Sequence, residues 1–232
     1  MRIPTEQRRA RLNAARLLLI LTPDRVPGGA VEERLIALLP EIDVLQVRVK
    51  RPGARRGPSP ARPVLDLAEV ALEHAAGLAT GRRPLITVDD RVDVAAALAE
   101  RGLDGVHLGD RDCPPALARQ LLGPDLLLGW STHSAEDVRR AAELPVDYLG
   151  FGPVAPTATK GLDRGLGPEA AVAAATQSAL PVFAIGGIDP PLARRLRAGT
   201  TAARVAVGAA VLEADDPVAA ARALRSALTE GG

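Results

Sequence analysis

Eight times along this chain, a short, largely apolar run, in most cases without polar alternation, is followed by a segment with helical spacing of its apolar residues. The runs are Leu17–Thr22, Val44–Lys50, Leu85–Val88, Gly105–Gly109, Leu126–Trp130, Asp147–Phe151, Pro181–Gly186 and Arg204–Gly208. A strand that is apolar at successive positions is buried on both faces, which occurs in parallel sheets covered by helices. The intervening segments supply the helices: Ala30–Leu39, Val64–Leu78, Val92–Glu100, Ala116–Leu122, Ala135–Glu143, Pro168–Ser178, Leu192–Ala198 and Pro217–Leu228. Ser134 stands where a helix N-cap belongs, and Asp215-Asp216-Pro217 announces the last helix. Eight strand–helix units are the number that closes a barrel, so the predicted fold is α/β, a single-domain (β/α)8 TIM barrel over residues 17–232. Residues 1–16 are arginine-rich and read as a short helical or loosely ordered lead-in. A doubly wound open sheet is the rival topology.

Aromatic residues make up only 2% of the chain against 47% hydrophobic, so the core is filled mainly by Ala, Val, Leu and Ile. A net charge of +1 argues against the dense basic field that unspecific nucleic-acid binding needs. Cys113 is the one cysteine, which excludes an intrachain disulfide and a cysteine-based zinc cluster. The opening Met1–Arg9 is charged, unlike a secretory leader, and Leu17–Leu21 is too short to span a bilayer. A cytoplasmic chain with no membrane or nucleic-acid partner is expected, and a homo-oligomer is compatible with it.

In such a barrel the site lies at the carboxyl ends of the strands. Gln46, Arg48 and Lys50 alternate at the end of the second run and point one way along a strand. Directed into the barrel mouth, two cations require an anionic partner; directed outward, they meet helices and solvent. Asp89-Asp90-Arg91 ends the third run and Asp110-Arg111-Asp112 follows the fourth. Carboxylates on neighbouring strand ends suit Mg²⁺, with Asp90 and Asp112 the preferred pair. The competing job for Asp89 or Asp90 is to cap the helix starting near Val92, and one of the two is expected to do so.

Ser131-Thr132-His133-Ser134 follows the fifth run, where His133 is either a proton shuttle or a positioned hydrogen-bond donor. His107, inside an apolar strand, reads as structural. The stretch Gly150–Gly161 holds Thr157, Thr159 and Lys160 among glycines and prolines, a cradle for a phosphoryl group or else a surface loop with a solvated lysine. Gly186 and Gly187 after the seventh run, with Gly208 and Ala209 after the eighth, offer backbone N–H groups to a monophosphate. Two anion sites and no activated nucleophile point to a diphosphate poised to leave.

These residues, in this order, resemble the thiamine-phosphate synthases and their relatives the thiazole tautomerases. The motifs are Gln46–Lys50, Asp89–Asp93, Gly105–Gly109 with Asp112, Ser131–His133, Gly150–Pro153 with Pro156–Lys160, and Ile185–Ile188. The resemblance implies a transferase joining hydroxymethylpyrimidine diphosphate to thiazole phosphate with Mg²⁺-assisted loss of diphosphate. It implies Arg48, Lys50 and Lys160 on the diphosphate, Asp90 and Asp112 on Mg²⁺, and Gln46 and Ser131 at the pyrimidine and diphosphate. Thr157, Gly187 and the backbone around Gly208 fall to the thiazole phosphate. Arg48, Ser131, His133 and Lys160 are the catalytic candidates; Asp89, Thr159, Gly186 and Ala209 join the substrate-binding set.

Against the family pattern, Asp89 replaces Asn, Ala209 replaces Ser, Leu18 replaces an aromatic, and the loop 51–62 is longer and richer in arginine. A tautomerase, or a barrel that binds a thiamine precursor without turnover, are the alternatives.

Overall fold

Each of the eight apolar runs forms a strand parallel to its neighbours in the computed structural model, which describes residues 3–50, 59–79, 81–156 and 165–229. The strands are β1 (Leu17–Leu21), β2 (Val44–Val47), β3 (Leu85–Asp89), β4 (Gly105–Leu108), β5 (Leu127–Thr132), β6 (Tyr148–Phe151), β7 (Val182–Ile185) and β8 (Val205–Val207). They pair in chain order, and β8 returns to β1 through Leu17–Val205, Leu18–Ala206 and Leu19–Val207. The barrel is closed and has no open sheet edge.

The missing alternation has a direct cause. Leu17, Leu19, Leu45, Val47, Ile86, Val88, Val106, Leu108, Leu128 and Leu149 pack into the larger apolar core with the helices. Their strand neighbours Leu18, Val44, Leu85, Leu127, Tyr148, Phe183 and Ala206 pack together in a second core. Both faces of the strands are therefore covered, the outward one by the helices and the inward one, towards the amino-terminal end of the barrel, by this second core.

The helices are α1 (Thr5–Ala14), α2 (Val31–Leu38), α3 (Ala61–Ala76), α4 (Val92–Leu98), α5 (Pro115–Leu122), α6 (Ala135–Ala141), α7 (Pro168–Gln177), α8 (Pro190–Gly199), the one-turn α9 (Ala209–Leu212) and α10 (Pro217–Thr229). Ser134 caps α6 by accepting from Asp137 N at 3.1 Å, and Asp189 caps α8 by accepting from Leu192 N at 2.8 Å. Asp216 does the same for α10 through Ala219 N.

Several boundaries differ from expectation. β2 ends at Val47, not Lys50, because β1 is stopped by the turn Pro23–Arg25; after Arg48 N donates to Leu21 O the ladder has no further partner on that side. α3 starts at Ala61, since Pro63 falls in the first turn, where a missing N–H costs nothing. β5 runs on through Ser131 and Thr132, and α9 is a turn that the sequence did not announce.

The opening segment is an ordered helix that closes the amino-terminal end of the barrel. Ile3, Leu12 and Ala15 join the inner core beneath Leu18, Leu85 and Phe183, and burying each of the two larger side chains contributes ~1.5–3 kcal/mol. Arg8 is fully buried: its Nε donates to Asp104 Oδ1 at 3.0 Å and its Nη1 to Asp125 O at 2.5 Å. Asp104 also accepts from Arg83 Nη1 and from Ile86 N, each at 2.8 Å, so the carboxylate is well paired, while Arg8 Nη2 is buried with no hydrogen-bond partner among the described residues. Among the described residues no helix is long and apolar enough to cross a membrane.

Candidate active site

The inward faces change character towards the carboxyl ends of the strands. Above Val44, β2 presents Gln46; above Leu85, β3 presents Thr87 and Asp89; above Leu127, β5 presents Gly129 and Ser131. Registers bring them level, with Gln46 beside Thr87 and Asp89 beside His107. Apolar below and polar above is the layering of a barrel with a site at its mouth.

Asp89 is the hub of this layer. Its Oδ1 accepts from Gln46 Nε2 at 2.6 Å, and its Oδ2 lies 3.1 Å from Arg48 Nε and 3.6 Å from Lys50 Nζ. Arg48 and Lys50 therefore turn into the mouth and not toward the helix layer. Burial first, then the charge of Asp90, pushes the Asp89 carboxyl up to about 6, against the pull of the two cations. A carboxyl in place of the expected amide is thus largely relieved of its charge below that pH.

Asp90 follows with a backbone turn into the left-handed region, φ 65°, and its N–H donates to His107 O at 2.9 Å. Its Oδ2 pairs with Lys50 Nζ and accepts from the N–H and hydroxyl of Ser59 at 3.1 and 3.0 Å. Burial works to raise this carboxyl, but the Lys50 and Ser59 hydrogen bonds outweigh it and hold it below the usual range. Neither Asp89 nor Asp90 caps α4; Arg91 is its N-cap residue and no side chain caps it, because both carboxylates are engaged in the mouth. The capping expectation is corrected.

Asp112 reaches back to the end of β4, where its Oδ2 accepts from Gly109 N at 2.8 Å. It lies within hydrogen-bonding reach of Asp90, and burial together with that neighbour raises its carboxyl above the usual range. Two carboxyl groups this close need a proton or a cation between them.

On the other side of the mouth, Ser131 Oγ is 3.0 Å from His107 Nε2, and the His107 ring stands 5.4 Å from that of Tyr148. His107, read from its apolar neighbours as structural, is thus part of the polar layer. His133 Nδ1 faces Gly152 O, a contact in which the nitrogen must carry the proton, and His133 N donates to Asp137 Oδ2 at 2.8 Å. This contact ties the end of β5 to the loop after β6.

Gly186 and Gly187 both have positive φ, 100° and 65°. A Cβ on Gly186 would lie 2.6 Å from Pro153 Cβ, and one on Gly187 2.8 Å from Ala155 Cβ, so only glycine lets the two loops touch. Val154 N donates to Ile185 O and Ala155 N to Gly186 O; Leu166 N and Gly167 N donate back to Pro153 O and Val154 O. The connection after β6 thus leaves and returns against β7. Thr157, Thr159 and Lys160 lie outside the described residues, as do residues 51–58 of the arginine-rich loop. Gly208 precedes α9 at the end of β8, with Ala209 its first residue.

A surface cavity of about 440 Å³ lined by Glu69, Leu72, Glu73, Ala76, Arg83 and Arg101 opens beside the starts of β3 and β4. It is at the other end of the barrel from this cluster.

Comparison with known proteins agrees with the geometry. The family model described as thiamine monophosphate synthase matches residues 17–211. The thiamine-phosphate synthase of Mycobacterium bovis (strain BCG / Pasteur 1173P2) is 41% identical over 226 residues, covering 95% of this chain and 97% of the relative. That of Deinococcus radiodurans is 45% identical over 224 residues, covering 93% and 74%. Among solved structures, the thiamine phosphate pyrophosphorylase from Pyrococcus furiosus superposes with a TM-score of 0.77 at 31% identity, covering 95% of this chain and 98% of that one. With its barrel, its charged mouth and these relatives, the chain belongs to the thiamine monophosphate synthase family.

Proposed function

We propose that the chain is a thiamine-phosphate synthase, joining hydroxymethylpyrimidine diphosphate to thiazole phosphate with release of diphosphate. The observation that carries this is the meeting of Arg48 and Lys50 with Asp89, Asp90 and Asp112 at one rim. Cations alone would bind any phosphate; cations interleaved with paired carboxylates suit a phosphate that brings a metal ion.

The residues present fit Mg²⁺. Asp90 and Asp112 lie within hydrogen-bonding reach of each other at the mouth, and Mg²⁺ is an ion that takes one or two carboxylates and completes its shell with water and phosphate oxygens. Asp90 and Asp112 would hold it. When bound, it would neutralise charge on the departing diphosphate.

The chain's own residues do the remainder. Arg48 and Lys50, with Lys160 from the loop after β6, draw off the diphosphate as the bond from the pyrimidine methylene to oxygen breaks. The electron pair leaves with the diphosphate, the aminopyrimidine ring carries the positive charge, and the thiazole nitrogen closes the new bond. Gln46 and Ser131 orient the pyrimidine; the backbone at Gly186, Gly187, Gly208 and Ala209, with Thr157 and Thr159, takes the thiazole phosphate. No nucleophile on the protein is required, and catalysis is leaving-group stabilisation with positioning.

The test is diphosphate release measured with each substrate alone and with both, with and without Mg²⁺. Release that requires both substrates and the ion is expected. Proton exchange on the thiazole without release, or binding with neither, would overturn the proposal.

A further inference from the structure

Ser59 stands at the edge of the arginine-rich loop and is only 1% exposed. Every polar atom it has is committed to the segment after β3: N and Oγ donate to Asp90 Oδ2 at 3.1 and 3.0 Å, and its carbonyl accepts from Arg91 Nη1 at 3.0 Å. Lys50 Nζ meets the same Asp90 oxygen. Three donors on one carboxylate oxygen exceed its roughly two lone-pair sites, which leaves Oδ1 as the oxygen able to take a cation. The main chain of Asp90 is fixed as well, by its hydrogen bond to His107 O and its left-handed φ.

We propose that Ser59 is a positioning residue for the metal site: it sets the rotation of the Asp90 carboxylate and pins the end of the β2–α3 connection to that ligand. The inference rests on the reading of Asp90 and Asp112 as metal ligands. Ser59 touches no reacting atom. Its role is that of an outer partner which orients a ligating carboxylate, and the loss of such partners weakens metal affinity by ~10–100-fold. Because binding couplings are reciprocal, an occupied metal site also tightens the hold on Ser59 and on the start of α3.

The experiment is titration of the full chain with Mn²⁺, read by electron paramagnetic resonance and without substrates, for the wild type, Ser59→Ala, Arg91→Gln and Asp112→Asn. Ser59→Ala is expected to weaken Mn²⁺ binding by ~10-fold. Arg91→Gln, which frees the Ser59 carbonyl while leaving the carboxylate untouched, is expected to weaken it less. Thermal midpoints in EDTA separate altered folding from altered metal binding, and the rise in midpoint on adding Mn²⁺ should shrink in Ser59→Ala. Equal affinity in the wild type and Ser59→Ala, with Asp112→Asn impaired, would remove Ser59 from this role and leave the metal site standing. A wild type that takes up no Mn²⁺, or binds it as well without Asp112, would overturn the metal site and this inference together.

Discussion

His107 and Ser131 meet across β4 and β5, imidazole Nε2 to hydroxyl Oγ at 3.0 Å, and the contact exists because Gly129 has no side chain. A Cβ there would lie 2.2 Å from Tyr148 Cζ and 2.4 Å from His107 Nδ1. Gly129→Ala is therefore expected to cost about 1–3 kcal/mol through overpacking and to lower kcat/KM by shifting Ser131. Urea unfolding and steady-state kinetics on the same preparation check both; wild-type values in each would mean that the ring moves aside freely.

Asp89 gives a pH signature. Its carboxyl titrates at about 6 when folded against 3.8 ordinarily, so between those values the folded chain holds a proton that the unfolded chain has released. The group's contribution to stability is therefore greatest below the lower value and falls as pH rises through about 6. Asp89→Asn should match the wild type near pH 4 and exceed its stability at pH 7.5 by up to ~3 kcal/mol. Urea unfolding at the two pH values decides it, and a variant weaker than wild type at pH 7.5 would show that the pairing with Arg48 and Lys50 outweighs burial.

Arg8→Met tests the floor of the barrel. Removing one partner of a buried pair leaves the other charge under-compensated, at a cost of ~3–5 kcal/mol. Arg83 and the Ile86 N–H still serve Asp104, so the lower end is expected. The thermal midpoint should drop while the KM values of the folded fraction stay unchanged, since Arg8 lies at the end of the barrel away from the mouth.

Asp112→Asn should raise the Mg²⁺ concentration needed for half-maximal turnover by at least the ~10-fold typical of lost supporting partners. Stability should not suffer, because burial and Asp90 already make the charged form of Asp112 unfavourable. A Mg²⁺ titration of activity and a melting curve provide the check, and an unaltered Mg²⁺ requirement would remove Asp112 from the site.

The barrel was legible because each strand is buried on both faces, a pattern that survives without any knowledge of which strands pair. The alternation of Gln46, Arg48 and Lys50 put these three on one side from spacing alone, although the strand itself stops at Val47; that the side is the mouth shows only in their contacts with Asp89. Asp89 and Asp90 were harder. Neighbours on a strand point to opposite faces, and only the left-handed turn at Asp90 returns both carboxylates to one rim. Ser59 left no trace, since its partner is distant in sequence and nothing in Ser-Pro-Ala-Arg marks a ligand. His107 was hidden by its own setting: an apolar strand conceals that its inward face is the one that reaches Ser131.

The helix beneath the barrel also decides how traffic must run. With Ile3, Leu12 and Ala15 filling the space under Leu18, Leu85 and Phe183, nothing can pass through the floor, so reactants arrive and products depart by one doorway. Whatever sits nearest that doorway has to leave before anything lodged deeper can follow.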